Sequence, residues 1–342
     1  MQQIGIIGLG LIGSSVGMGL RKWASADGKQ KVEVLGFDID VANERYAKGK
    51  LNAVDRTVSS LPAIAEACDL LILATPVRAM RDVFEIIAPH VREGATITDT
   101  GSTKAEVLEW AKELLPPTVN FVGGHPMAGN TRGIEGASAT LFTDATWVVI
   151  PTVTAGDAAV QNVVGLVNAL GATPRFLDAT EHDAYVAGIS HLPLAVSAAL
   201  VHALSADASW RDMKTLTAGG FRDTTRLAGG DPIMSRDIFL TNRAGIARWL
   251  DRQIDELEKL RALLTEPGEE SEQRVEEWFT KARDMRAEWA TQEGKSGDLL
   301  QGTSDEMNED MKASFGRLFF GSLASRKRKL PGLNDPSDRR PS

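Results

Sequence analysis

The sequence carries a glycine-rich run, Gly8-Leu9-Gly10-Leu11-Ile12-Gly13, near the start of its 342 residues. This G-x-G-x-x-G pattern follows an apolar segment that predicts a strand over Gln3 to Ile7, and it opens a segment with helical periodicity. In that setting the first glycine permits a tight turn, the second lets the backbone approach a pyrophosphate, and the third lets helix and strand pack closely. Free N–H groups at the helix start attract phosphate. The run therefore predicts a dinucleotide site; the alternative is a glycine turn in a sheet that binds nothing.

An acidic residue follows the second predicted strand, which covers Lys31 to Phe37. Asp38 lies 25 residues beyond Gly13, against about 20 in the usual fingerprint. The polar insert from Ala24 to Gln30 accounts for the excess. A carboxylate at this position accepts hydrogen bonds from ribose hydroxyls and repels a 2′-phosphate. The sequence therefore favours NAD over NADP as the cofactor.

Short apolar runs alternate with helical patterns through the first 150 residues. The runs are rich in Ile, Leu and Val, which is typical of strands covered on both faces. Helices are predicted between them, including Arg78 to Ala88 and Thr103 to Leu114, where Thr103 and Glu106 have capping-box spacing. This order predicts the α/β class, with a Rossmann-type doubly wound, mostly parallel sheet in residues 1–151. The other predicted strands are Leu70 to Ala74, Ala95 to Asp99, Asn120 to Val122 and Thr146 to Ile150.

Helical patterns dominate after Pro151, apart from a short predicted strand at Arg175 to Leu177. One long helix is predicted over Thr180 to Ser205, with a kink or break at Pro193, and another over Ser235 to Leu264. By analogy of fold, such a domain serves substrate binding and dimerisation. The predicted division is a helical domain at 152–266, a C-terminal helical extension at 267–329 and a disordered tail at 330–342. The extension has an apolar stripe from Val275 to Trp289, a helix from Met307 to Ser322 and a basic cluster at Arg326 to Lys329.

Composition narrows the class of protein. Apolar residues make up 43% and charged residues 25% of the chain, which excludes a wholly disordered protein. The net charge of −8 argues against nucleic-acid binding. Cys68 is the one cysteine, so no intrachain disulfide forms and a reducing, cytoplasmic location is expected. We find no signal peptide and no run of 18 apolar residues, so no membrane-spanning helix is expected, and no metal site is predicted.

Polar segments follow three predicted strands, and ligands of open α/β sheets bind at such carboxyl ends. Thr75-Pro76-Val77 follows the third strand, and Ser102 lies after the fourth, where it could also be a simple turn residue. His125 follows the fifth strand, and Pro126 favours an extended backbone for it. An imidazole at the cofactor edge can take or hold a proton near neutral pH. The alternative is a loop histidine satisfied by the backbone.

Three further polar residues stand out in the helical half. His182 and His191 are nine positions apart, so an ideal helix would direct them to opposite faces, and only one is expected to reach the site. Arg226 follows the glycine pair Gly219-Gly220 and could direct its guanidinium at a carboxylate. Alternatively, Arg226 is a surface cation or pairs with Asp223.

Taken in order, these motifs resemble the prephenate/arogenate dehydrogenase family. The resemblance runs from about residue 3 to about residue 265 and is specific as an ordered set. It implies a Rossmann domain, a helical domain that intertwines in a homodimer, and NAD as cofactor. It also implies oxidation of a cyclohexadienyl alcohol with loss of the ring carboxylate as CO2. The motifs are Gly8 to Gly13, Asp99 to Lys104, Gly124 to Gly129, His182-Asp183, Ser190 to Pro193, Phe221 to Arg226 and Asp231 to Met234.

The resemblance also implies roles for individual residues. It makes His125 the catalytic histidine that draws the proton from the ring hydroxyl, with Ser102 supporting the same contact. It makes Arg226 the ligand of the ring carboxylate, positioned by Asp223. The remaining expected substrate contacts are Ser190, His191 and His182. The expected cofactor contacts are Gly8, Gly10, Leu11, Ile12, Gly13, Asp38, Thr75 and Pro76.

The sequence departs from the family pattern at two positions near the substrate side chain. Leu194 stands where many members have a second histidine, and Ser235 replaces a common aromatic residue. Prephenate is the expected substrate, which gives 4-hydroxyphenylpyruvate, and the alternative is arogenate or dual use, which gives tyrosine directly. The sequence is also compatible with a relative acting on an amino-substituted analogue and with a nucleotide-sensing dimer without turnover. No regulatory ACT domain is implied after about residue 268.

Overall fold

The computed structural model describes residues 2–26, 32–265, 268 and 270–291. The chain divides into two compact units, Met1–Leu257 and Glu258–Ser342. The second unit contributes the end of one long helix and a further helix over 271–291. The helix predicted from Met307 to Ser322, the basic cluster at Arg326 to Lys329 and the tail at 330–342 lie outside the described residues.

The described residues form one sheet of eight strands in the order β3-β2-β1-β4-β5-β6-β7-β8. All neighbouring strands are parallel except β6 and β7, which are antiparallel. The predicted mostly parallel sheet is therefore confirmed. The strands are β1 (Gln2–Ile7), β2 (Val32–Phe37), β3 (Arg56–Thr57), β4 (Leu70–Leu73), β5 (Thr96–Asp99), β6 (Asn120–Pro126), β7 (Thr146–Pro151) and β8 (Thr173–Phe176).

Helices cover both faces of the sheet because its strands are apolar on both sides. Alternate residues along β1 divide between two cores: Ile6 packs with one set of helices and Ile7 with the other. The doubly wound fold is therefore confirmed. One face carries α1 (Leu11–Ala26) and α6 (Asp157–Ala169); the other carries α3 (Leu61–Ala67), α4 (Ala79–Ile87) and α5 (Ala105–Leu114). The remaining helix of this part is α2 (Val41–Gly49), and a 3₁₀ turn spans Gly133–Gly136.

The sheet does not end at residue 151, where the sequence placed the domain boundary. Strand β8 pairs in parallel with β7 after the crossover through α6, so the sheet continues to Phe176. This edge strand gave a weak signal because its residues are half-buried or exposed and include Pro174. We call residues 2–176 the sheet domain and residues 178–257 the helical domain.

The helical domain begins with an interrupted helix. A π-helical turn, Ala187–His191, separates α7 (Ala179–Val186) from α8 (Leu192–Ser205). Pro193 lies in the first turn of α8, where its missing N–H leaves no hydrogen bond broken. The predicted break at Pro193 is therefore confirmed. Short helical elements follow: α9 (Trp210–Met213), a 3₁₀ turn at Lys214–Leu216, α10 (Gly219–Thr225) and a 3₁₀ turn at Arg226–Gly229.

The single helix predicted over Ser235 to Leu264 is two helices. The first is α11 (Pro232–Thr241) and the second is α12 (Arg243–Thr265), and Asn242 separates them with φ −131° and ψ 39°. The periodicity of the apolar residues does not reveal the break, because Asn242 leaves the helix to make tertiary hydrogen bonds.

The helical domain has a small core of its own. In this core Ala187, Ile238 and Ile246 are buried together, with Phe239, Trp249 and Leu250 packed against them. The apolar helix α8 buries only Ser197. Contrary to the expectation from sequence, the stretch Ala179–Ser205 is long and apolar enough to cross a membrane by length and composition alone, and 22% of its most apolar window is buried.

The predicted stripe in the helix over 271–291 is not buried along its length. Val275 and Trp278 are half-buried, whereas Ala282, Met285 and Trp289 are exposed. The packing that the stripe predicted is therefore incomplete within the described residues.

Candidate active site

The glycine run forms the turn between β1 and α1. Gly8 has φ +95°, and a Cβ there would lie 2.6 Å from the carbonyl oxygen of Ala74. A Cβ at Gly13 would collide with the carbonyl oxygen of Gly8, so only glycine lets α1 approach β1 this closely. At Gly10 no atom lies within 4 Å of a Cβ position, which leaves the backbone open to a ligand. The three glycines therefore have the geometry of a dinucleotide loop.

Two side chains beside this loop fit a bound NAD. The Oδ2 atom of Asp38 accepts a hydrogen bond from the N–H of Leu9 at 2.6 Å, which fixes the carboxylate against the loop. The Thr75 hydroxyl is buried and has no hydrogen-bond partner among the described residues. Thr75 also lies beside the loop, since a Cβ at Gly8 would be 3.0 Å from its backbone nitrogen. An unpaired buried hydroxyl at the edge of the loop provides a polar contact for a cofactor.

His125 is the penultimate residue of β6 and begins a chain of hydrogen-bonded side chains. Its Nδ1 atom lies 2.8 Å from Nε2 of His182, and Nδ1 of His182 lies 2.7 Å from Oδ1 of Asp183. Asp183 Oδ1 accepts the N–H of Lys104 at 2.8 Å, and Oδ2 accepts the N–H of Ala105 at 2.9 Å. The catalytic histidine predicted from sequence is therefore connected to the first turn of α5 through the helical domain.

The start of α5 differs from its prediction. The helix begins at Ala105, and no side chain of its own caps it. The hydroxyl of Thr103 instead contacts that of Thr241 at 2.7 Å. The capping box predicted from Thr103 and Glu106 is therefore wrong, because the carboxylate of Asp183 supplies the cap from the helical domain.

His182 and His191 both lie near His125. In an ideal helix, residues nine positions apart would point to opposite faces. The π-helical turn adds a residue between them and shifts the helix face by about 100°. His191 is buried, with Nδ1 3.3 Å from the side-chain nitrogen of Asn242. The same nitrogen donates to the Asp183 carbonyl oxygen at 2.7 Å. The two histidines therefore face the same buried cluster and not opposite sides of the helix.

The two histidines differ in the atoms they can offer to a ligand. Both ring nitrogens of His182 contact protein side chains, so the assignment of His182 to substrate binding is not supported. Its ring supports His125 instead. The Nε2 atom of His191 is buried and has no partner among the described residues, so it can contact a bound molecule.

A buried ion pair lies beside the histidines. The ammonium group of Lys104 contacts the carboxylate of Asp99, and both side chains are fully buried. Asp99 also accepts the N–H groups of Gly101 at 2.8 Å and Gly124 at 3.0 Å, which orients the segments on either side of the site. Burial lowers the pKa of Lys104, and the negative charge of Asp99 opposes that shift.

The pKa of His125 is well below its usual value. Burial is the largest cause, because it penalises the charged imidazolium. Electrostatic interaction with His182, Lys104 and His191 acts in the same direction. Burial also lowers the pKa of His191, to about 4, although the charge of Asp183 raises it. His125 is consequently neutral at physiological pH and can accept a proton.

Several predicted site residues are not joined to this cluster. Arg226 and Asp223 are exposed, and they form no ion pair with each other in the described part of the chain. The 3₁₀ turn that carries Arg226 is held to α8 by the Ala228 N–H, which donates to the Ser197 hydroxyl at 3.0 Å. The positioning of Arg226 by Asp223 therefore stays a prediction. Ser190 is exposed, and Ser102 is half-buried.

The residues that sequence reasoning missed are those that connect the two domains. Asp183 and Asn242 received no role, nor did the pair formed by Asp99 and Lys104. Asp183 and Lys104 lie in two of the motifs that carry the family resemblance, His182-Asp183 and Asp99 to Lys104, so the sequence did mark both residues. Asn242 supplied no signal, because an asparagine inside an apolar helical pattern does not reveal a tertiary contact.

Comparison with known proteins places the chain in a family. The nucleotide-binding domain of prephenate dehydrogenase matches residues 20–174, and its dimerization domain matches residues 178–281. The prephenate dehydrogenase of Bacillus subtilis (strain 168) is 34% identical over 284 residues, which cover 82% of this chain and 74% of that protein. The cyclohexadienyl dehydrogenase of Zymomonas mobilis is 31% identical over 272 residues, which cover 78% of this chain and 90% of that protein.

A solved structure agrees with these matches. The prephenate dehydrogenase from A. aeolicus, in complex with hydroxyphenyl propionate and NAD+, superposes with a TM-score of 0.76 and 29% sequence identity. The alignment covers 84% of this chain and 98% of that one. The matched nucleotide-binding domain and this NAD+-bound neighbour identify the cofactor, so the chain is an NAD-dependent dehydrogenase. It belongs to the prephenate dehydrogenase family.

Proposed function

We propose that the protein catalyses the NAD-dependent oxidative decarboxylation of prephenate to 4-hydroxyphenylpyruvate, a step in tyrosine biosynthesis. The observation that carries this proposal is His125, a buried and neutral imidazole at the carboxyl end of β6. An alcohol becomes a better hydride donor as it loses its proton, so a neutral imidazole in contact with the ring hydroxyl assists the oxidation.

The remaining chemistry is assigned to two groups of this chain. NAD, when bound, accepts the hydride from the ring carbon that bears the hydroxyl. Arg226 binds the ring carboxylate and holds it in place until the C–C bond breaks and CO2 leaves. The electron pair of that bond enters the ring and the ring oxygen takes back the proton held by His125, which gives the phenol. Aromatisation makes the step effectively irreversible. Ser102, in the loop between β5 and α5, supports the hydroxyl contact.

The cofactor preference follows from Asp38. Its carboxylate is fixed at the end of β2 by the N–H groups of Leu9 and Asp40. A negative charge at this point favours the ribose hydroxyls of NAD and repels the 2′-phosphate of NADP. Gly8, Gly10, Leu11, Ile12 and Gly13 are the proposed pyrophosphate loop, and Thr75 and Pro76 are the remaining proposed cofactor contacts.

The second candidate function is the oxidation of arogenate, alone or together with prephenate. The similarity to a cyclohexadienyl dehydrogenase favours it. So do the two departures near the substrate side chain, where Leu194 is half-buried and the Ser235 hydroxyl donates to the Asp231 carbonyl oxygen. Neither residue offers a charged or aromatic group to distinguish a keto acid from an amino acid.

We also propose that the protein acts as a cytoplasmic homodimer formed through the helical domain. The match to a dimerization domain supports the dimer, as does α8, an apolar helix of which Ser197 is the one fully buried residue. The single cysteine supports a reducing compartment. A dimer interface also accounts for the apolar stretch Ala179–Ser205 without a membrane, since this stretch contains the buried His182, Asp183 and His191.

The test is the initial rate of cofactor reduction by the purified protein in four pairings: prephenate or arogenate with NAD or NADP. Turnover of prephenate with NAD is expected. Turnover of arogenate but not of prephenate would contradict the first candidate function and support the second. Preference for NADP would contradict the role of Asp38, and absence of turnover in every pairing would contradict the proposed function.

A further inference from the structure

The hydrogen-bonded chain from His125 to α5 has a direction, because its last member can only accept. An ionised carboxylate carries no hydrogen. Both oxygens of Asp183 already accept backbone N–H groups, from Lys104 and from Ala105. Where His182 Nδ1 meets Asp183 Oδ1 at 2.7 Å, the hydrogen must therefore belong to the histidine.

The position of that hydrogen determines the next link. A neutral imidazole has one N–H group and one acceptor nitrogen. With its hydrogen on Nδ1, His182 presents an acceptor at Nε2, which lies 2.8 Å from Nδ1 of His125. His125 must then donate from Nδ1, and its own hydrogen is committed to His182. The other nitrogen of His125, Nε2, is left with a free lone pair.

We propose that His182 and Asp183 are positioning residues that fix the tautomer of His125 and so make its Nε2 atom the proton acceptor. The proposal rests on the function proposed above. It adds that Nε2 is the reacting atom of His125 and that His182 and Asp183 select it. Free histidine exchanges its hydrogen between the two nitrogens, so an unsupported His125 would present the wrong nitrogen part of the time.

The anchor of this chain also joins the two domains. Asp183 belongs to α7 of the helical domain, and it holds the first N–H groups of α5, directly after the loop that carries Ser102. Asn242 fixes the backbone of Asp183 from the other side through its carbonyl oxygen. Correct docking of the helical domain on the sheet domain therefore sets the tautomer of His125 and the start of α5 together.

The experiment reads the tautomer by NMR of the cofactor-free protein labelled with ¹⁵N-histidine. The chain has five histidines, and the signals of His90 and His202 are identified by replacing each with glutamine. The signals of His125 and His182 are identified in the same way. We expect hydrogen on Nδ1 and none on Nε2 of His125. Hydrogen on its Nε2 would overturn the proposal, since His182 would then be donating to it.

Two substitutions test whether His182 is the cause. His182→Phe keeps the ring volume and removes both hydrogen bonds, while Asp183 can still cap α5. We expect the His125 hydrogen to distribute over both nitrogens and kcat to fall about 100-fold, with KM for NAD unchanged. His182→Gln can still accept from Nδ1 of His125 through its amide oxygen, so it should retain the wild-type tautomer and recover much of kcat. Wild-type tautomer and kcat in His182→Phe would overturn the proposal.

The matched control is Thr103→Val, which breaks the hydroxyl contact to Thr241 between the same two domains. It leaves the histidine chain intact, so the tautomer of His125 should remain as in the wild type. If Thr103→Val changes the tautomer of His125 as much as His182→Phe does, the effect comes from weaker docking of the two domains in general. That result would overturn the proposal. The NMR result needs no turnover. Hydrogen on Nδ1 of His125 in an inactive protein would therefore refute the proposed function and leave this inference standing.

Discussion

At the residue scale, Gly10 and Gly13 of the glycine loop have different roles, one in cofactor binding and the other in packing. We predict that Gly10→Ala leaves folding unchanged, because a Cβ there meets no atom within 4 Å, and raises KM for NAD at least about tenfold, because the methyl group faces the cofactor. Gly13→Ala should instead lower the unfolding midpoint in urea, because its Cβ collides with the Gly8 carbonyl. Normal NAD binding by Gly10→Ala would contradict the placement of the pyrophosphate.

The pKa of His125 predicts the pH dependence of activity. His125 accepts a proton only when neutral, so activity falls as the pH drops through its folded pKa. That pKa lies well below the usual 6.5, because burial, and secondarily the electrostatic interaction with His182, Lys104 and His191, disfavours the imidazolium. The acid limb of kcat/KM should therefore begin below pH 6.5. A limb centred at or above 6.5, with chemistry rate-limiting, would contradict the assignment.

At the element scale, the π-helical turn lets His182 and His191 face the same site, and close packing maintains it. Gly188 lies in this turn, and a Cβ there would be 2.8 Å from the ring of Trp249 on α12. We predict that Gly188→Ala lowers the free energy of unfolding by about 1–3 kcal/mol, measured by urea denaturation. Gly49→Ala, at the end of α2 where a Cβ meets nothing, is the control and should be neutral. Equal stability of the two variants would contradict the tight packing.

The elements that sequence predicted well are those set by local pattern. The continuous apolar runs of β1 and β4, the glycine loop and the break at Pro193 all have local causes, and the structure has each of them. The elements predicted poorly depend on distant partners. The cap of α5 comes from Asp183, and the break at Asn242 serves a hydrogen bond to that residue's backbone. Local periodicity contains no information on either contact.

The same division applies to the site. His125 could be chosen from its strand end and its proline neighbour, whereas the histidine chain behind it needs the two domains to be docked. The helix face on which His191 lies relative to His182 was predicted wrongly, because a π-helical turn has no clear signature in a single sequence. Arg226 remains a prediction, since its side chain is exposed and makes no contact with His125 or Asp223 in the described part of the chain.

At the scale of the whole molecule, α8 is an apolar helix with little to cover it within one chain. Ala199 and Ala203 are exposed on it, four positions apart and therefore on one face. We predict that Ala203→Glu converts the dimer to a monomer of 36.8 kDa by sedimentation velocity, because it would bury a charge in the interface. The control, Ala158→Glu on α6, should stay dimeric. A dimeric Ala203→Glu would contradict the placement of the interface on this face.

In the proposed reaction His125 takes the proton of the substrate hydroxyl. The most direct test is kcat for prephenate oxidation by His125→Asn, together with the Kd for NAD. We predict that kcat falls between about 100-fold and about 10,000-fold, the range of general acid–base catalysis, because an amide cannot accept the proton. The Kd for NAD should be unchanged, since the glycine loop and Asp38 are untouched. A kcat within about twofold of the wild type would contradict the account.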